Sequence, residues 1–164
     1  MTHGRKPPRK PRWPAVSNVL TIVKQRIALI SAADLVITLQ PLQAAFKALR
    51  EGVATEWQWA QLASAINGAM AVEKQGVVKG VHAHLHAAEL ALQAIQQRAM
   101  ATGTWQPTAL YYQELDDIST AVNLHKYQLS QLSYGEVKAA ANYAEAEVRS
   151  TGGQVMQQRD LLAA

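Results

Sequence analysis

Cysteine is absent from the 164-residue chain, which excludes disulfides, thiolate metal sites and cysteine nucleophiles, and removes any argument for an oxidising compartment. Aromatic residues are few, with four Trp, five Tyr and one Phe; abundant Ala, Leu, Val, Ile and Gln favour helices that pack through aliphatic seams over a β-sandwich. No apolar run reaches the roughly 18 residues of a membrane span. The positive run at the N-terminus is not followed directly by the apolar segment of a secretory signal, so a cytoplasmic protein, neither secreted nor inserted, is expected. No catalytic signature or cofactor fingerprint stands out, and no cofactor is expected.

An apolar content of 49% with only 17% charged residues is enough to bury the core of one domain. The net charge of +4 is unevenly placed. Arg5, Lys6, Arg9, Lys10 and Arg12 fall within the first 14 residues, so the remainder carries 11 basic and 12 acidic residues, a net of −1. The same arm holds Pro7, Pro8, Pro11 and Pro14, which remove backbone donors and fix φ, so an extended or disordered segment is expected. Three regions follow: a basic Pro-rich arm, Met1–Pro14; a helical domain, Ala15–Gly153; and a polar, fraying tail, Gln154–Ala164.

Within the domain, apolar residues recur in steps of three and four, the mark of one-sided helices. The spacing predicts a compact all-α bundle of five to six helices. The first runs over about 16–30 on Val16, Leu20, Val23, Ile27 and Ile30, with Ser17 as cap. The second, over 32–51, carries Leu35, Leu39, Leu42, Phe46 and Leu49; Pro41 inside it predicts a kink or break near Ile37. The third starts at Thr55, with Gln58 in capping-box spacing, and carries Trp59, Leu62, Ile66 and Met70 to a stop at Gly76. A fourth over 77–101 and a fifth over 107–132 have long seams, Val78 to Ala99 and Tyr111 to Leu132, and are expected to pair antiparallel as the central element. The last opens on Ser133 and Glu136, carries Val137, Ala141, Ala144 and Val148, and stops at Gly152 and Gly153.

Four features suggest chemistry. In the arm, Arg5, Lys6, Arg9, Lys10, Arg12 and Trp13 make a candidate surface for nucleic acid or an acidic partner, because an extended chain presents Arg side chains to a narrow negative groove and Trp stacks on bases. Gly4-Arg5-Lys6-Pro7 is similar to the core of AT-hook peptides, with His3 and Lys6 where those peptides carry Arg; a solvated tail is the alternative. His82, His86 and Glu89 form an H-x-x-x-H-x-x-E row on one helix face, a candidate metal set, although the same row also reads as a polar face, and Ala83 stands where helical zinc enzymes carry their general base. Trp57, on a different face from Trp59, is a candidate partner contact, while Trp105 and Pro107 read as a hydrophobic staple. His125, on the fifth seam, reads as a buried neutral imidazole with a hydrogen-bond partner. Glu114, Asp116 and Asp117 do not share one helix face, so they read as solvated groups or helix partners rather than paired catalytic carboxylates.

The runs Pro41–Gly52, Ala54–Leu62, Thr102–Trp105 and Leu124–Leu129 resemble small helical proteins of no settled function encoded by bacteriophages, prophages and other mobile elements of Gram-negative bacteria. That resemblance implies an intracellular bacterial setting and assigns no catalytic residue. The function expected is that of a non-enzymatic interaction protein, monomer or homodimer, that binds and inhibits or modulates a host macromolecular complex such as a defence or transcription assembly. The alternatives are a nucleic-acid-binding accessory protein acting through the arm and a metal-dependent helical enzyme.

Overall fold

A computed structural model describes Val23, residues 26–106 and residues 108–152. Five long helices make up the described body: α1 (Ala32–Arg50), α2 (Glu56–Lys74), α3 (His82–Ala99), α4 (Tyr112–Gln131) and α5 (Tyr134–Ser150). The described residues contain no β-strand, only one isolated antiparallel bridge between Leu29 and Ser133. The basic arm, with Arg5, Lys6, Arg9, Lys10, Arg12 and Trp13, lies outside the described residues, as do Pro107 and the tail beyond Gly152.

Local chemistry sets most helix ends. Ser31 accepts the Asp34 backbone N–H and caps α1. At α2, Gln58 N–H donates to Thr55 Oγ1 at 3.4 Å while Gln58 Oε1 accepts Thr55 N–H at 2.9 Å, and Ser133 and Glu136 repeat the arrangement at α5. Gly76 leaves α2 with φ +79°, a left-handed turn for which a side chain would be strained.

Four expectations need correction. The chain is helical at Arg26 and Ile27 but leaves the helix before Ile30. There it becomes a strap, in which Ile30 N–H donates to Leu132 O at 3.2 Å and Tyr134 N–H to Ala28 O at 3.1 Å. The strap crosses the corner between α4 and α5 so closely that a Cβ on Gly135 would stand 2.7 Å from Arg26 O. The second helix is unbroken through Pro41; Ile37 and Pro41 are both exposed, so the carbonyl that lacks a donor is open to solvent. α3 begins at His82 rather than near Val77, because Gly80 turns the chain with φ +86°. α4 begins at Tyr112 rather than Pro107, where Glu114 Oε2 accepts Tyr111 N–H at 3.1 Å.

Leu62, Leu85, Ile95 and Ile118 are fully buried and form the centre of the core. α3 and α4 pack on each other most extensively, but the helix that touches all four others is α2. Its buried Ala69 and Ala71, beside Leu62, Ile66 and Val72, keep it slim enough for neighbours on several sides. α5 is peripheral, with only Ala140 fully buried and the expected seam residue Ala141 exposed. No helix among the described residues is long and apolar enough to cross a membrane.

Candidate functional site

The strap creates the most conspicuous surface. Ser31 Oγ hydrogen-bonds the Asp34 carboxylate, and Tyr134 Oη donates to Asp34 Oδ2 at 2.5 Å across 100 residues of sequence. The Ser31 and Tyr134 hydroxyls hold the Asp34 carboxyl below its ordinary range, and Asp34 in turn pushes the Tyr134 phenol up. Near this anchor Ile27, Leu29 and Ile37 are each 62–69% exposed and Tyr134 is 42% exposed, while Val36, also exposed, lies on another side of α1. Ile37 lies one helical turn beyond Asp34 and therefore on the same side of α1. Single exposed aliphatics are ordinary, whereas several close together on a pinned scaffold make a candidate surface. Ile27 was expected in a buried seam; the strap turns it outward.

The second concavity is a cleft of about 210 Å³ between α2 and α3. Trp59 lines it, with its indole N–H donated to Leu92 O at 2.9 Å and its ring against Trp105, centroids 6.1 Å apart at 49°. Trp105 in turn donates its indole N–H to Ala54 O at 2.9 Å. Trp105 thus ties the α3–α4 connection back to the start of α2, a longer-range brace than the expected staple. Trp57 is 41% exposed, as expected from its different helix face.

The histidine row does not converge. The His82 and His86 rings stack parallel, 6.1 Å apart at 1°, but His86 Nδ1 meets Glu89 Oε2 at 3.0 Å while His82 Nδ1 faces Glu73 Oε2 at 3.6 Å. Among the described residues no group of three or more His, Asp or Glu side chains is placed to hold one metal ion. Glu73 has another task that the sequence did not reveal. Its Oε1 accepts the backbone N–H groups of Gly80, Val81 and His82 at 3.0, 3.0 and 2.9 Å, so it caps α3 from the end of the preceding helix.

His125 is sealed at Nδ1, as is Gln128 at Oε1, and neither atom has a hydrogen-bond partner. Gln128 Nε2 donates to Ala69 O at 3.1 Å. Burial pushes the His125 pKa down, opposed in part by the Gln128 side chain. The ring is desolvated as expected, and the Gln128 side chain acts on it although Nδ1 itself has no partner. The acidic cluster is divided among separate tasks. Glu114 takes a bidentate pair from Arg98 at 2.7 and 2.5 Å, which raises the Arg98 pKa, while Asp117 accepts from Gln113 at 3.2 Å.

Comparison of the chain with protein families, curated proteins and solved structures finds no match.

Proposed function

We propose that this chain is a non-enzymatic interaction protein of phage or other mobile-element origin, which docks on a host macromolecular complex in the cytoplasm, such as a defence or transcription assembly, and inhibits or modulates it. The observation that carries this reading is the set of exposed aliphatic side chains Ile27 and Leu29 at the strap and Ile37 on the first turns of α1, beside the Asp34–Tyr134 hydrogen bond. Burying such residues against a partner removes apolar area from water at about 25 cal/mol per Å², and a pinned scaffold loses little conformational freedom on docking. The basic arm precedes this patch in the chain and suits a partner with acidic groups beside an apolar groove.

The test is a quantitative pull-down from the bacterial host with the full chain and with a Leu29→Asp, Ile37→Asp variant. Both positions are exposed, so the fold should persist by circular dichroism. Recovery of the specific partner should fall at least about tenfold, equivalent to roughly 1.4 kcal/mol. Equal recovery by the two proteins would sink the reading.

The charge distribution favours one further reading, in which the arm binds nucleic acid. Five phosphate contacts would give a slope of log K against log salt of about −4.5 on duplex DNA. Replacing the five basic residues of the arm by Gln in the full chain should abolish that binding. Absence of binding by the natural chain at low salt removes this reading.

A further inference from the structure

We propose that the cleft between α2 and α3 binds an organic cation carried on an apolar stem, an alkylammonium group such as that of a lysine side chain or a free aliphatic amine. The cleft is a trough. Its α2 wall runs from Trp59 to Asn67 and its α3 wall from Glu89 to Gln96, nine and eight residues, or about 10–12 Å of helix. Glu73, at the end of α2, caps the start of α3, so the two helices run in opposite directions. Glu89 therefore lies at the Ile66 end of the trough, away from Trp59.

The two ends differ chemically. At one end the indole N–H is already committed to Leu92 O and the ring is braced by Trp105, so Trp59 offers a fixed apolar surface and no free donor. Ala63, Ile66 and Leu92 continue that apolar lining. At the other end Glu89 is the single ionised side chain of the lining. His86 engages its Oε2 from outside the cleft, which leaves Oε1 for a ligand. An anion would be repelled there, and a neutral alcohol would gain no ion pair with the carboxylate. A cation held by the carboxylate, with its stem along Leu92 and Trp59, satisfies both ends. The volume of about 210 Å³ lies below the range of about 300–1,000 Å³ that receives drug-sized ligands, so the occupant is a side chain or a small amine.

The experiment uses the full ¹⁵N-labelled chain and follows the Trp59 indole N–H with the side-chain amides of Gln93 and Gln96. Hexylammonium chloride should produce saturable shifts, with binding at least tenfold weaker for hexanol and none for hexanoate at equal ionic strength. Glu89→Gln should weaken hexylammonium binding at least tenfold. Asn67→Asp, at an exposed position on the same rim, should tighten it, so the proposal stays testable if the first variant is unstable. The source is read from two further probes. Tighter binding of blocked lysine than of hexylammonium supports a protein side chain, and tighter binding of 1,6-diaminohexane supports a free polyamine. Absence of saturable shifts through the millimolar range, equal affinity for hexylammonium and hexanol, or an unchanged affinity in both variants would overturn the proposal.

Discussion

Replacing Glu73 by Ala should cost the fold about 2–3 kcal/mol, a larger penalty than removing any surface ion pair of this protein. A helix leaves its first N–H groups without intrahelical partners, and α3 opens on Val81, whose side chain supplies no cap. One oxygen of Glu73 serves two of those groups, Val81 and His82, together with the preceding Gly80 N–H, and its charge opposes the positive end of the helix dipole. An ordinary cap is worth roughly 0.5–2 kcal/mol; this one stands above that because one charged oxygen serves three N–H groups, that of the buried Val81 among them, and the Glu73 side chain is only 13% exposed. By contrast, the Lys74–Glu147 pair next to it joins side chains 45% and 48% exposed, and breaking it should change stability by less than about 1 kcal/mol. Thermal unfolding monitored by circular dichroism separates the two cases, with a fall in melting temperature of roughly 5–10 °C expected for Glu73→Ala. Glu73→Gln retains an acceptor and loses the charge, so it should fall between. A Glu73→Ala protein within about 0.5 kcal/mol of the natural chain would show that α3 is held by packing alone.

The contrast between Glu73 and Thr55 explains how much of this molecule could be read in advance. Thr55 with Gln58 and Ser133 with Glu136 are three residues apart, so the motif and the structure it makes are the same local event. The glycine stops are equally local, since a single residue supplies the positive φ. Glu73 acts seven to nine residues downstream across a turn, and the spacing Val78–Val81–Leu85 runs on through Gly80, the residue at which the chain turns. The strap is harder still, because Ile27 and Ile30 keep helical spacing, yet the chain between them leaves the helix where Ala28 and Ile30 bond to Tyr134 and Leu132, more than 100 positions away. For the same reason the Asp34–Tyr134 bond and the trough between α2 and α3 have no sequence signal. Helical spacing does place His82 and His86 on one face, as the parallel rings show. It says nothing of which acid each ring meets, and the acid that His82 meets comes from another helix. Trp57 was legible as an exposed residue because Trp59, two positions on, belongs to the seam.

Acidification should weaken this bundle before any carboxylate titrates, and His125 should be the cause. Burial holds its imidazole pKa below the ordinary value, the neighbouring Gln128 opposing this only in part, so the native state keeps the ring neutral where the unfolded chain takes up a proton near pH 6.5. Below that pH the unfolded state binds more protons than the native state, and stability falls as pH falls; above it the difference vanishes and the contribution is fully present. The slope approaches about 1.4 kcal/mol per pH unit for one proton. Asp34 and Glu136 have pKa values lowered by hydrogen bonds from Ser31 and Tyr134 and from Ser133. Their contribution has the same sign but lies lower, being lost only as pH falls through the carboxylate range. The interval from about pH 6.5 to 5 therefore isolates the histidine. A proton gained there has no ready acceptor at Nδ1, which is sealed from solvent with no hydrogen-bond partner. Urea denaturation midpoints across this interval should drop for the natural chain and stay nearly level for His125→Leu, which fills similar space without a titrating group. Parallel profiles for the two proteins would relieve His125 of this role and require another group to account for any loss in acid.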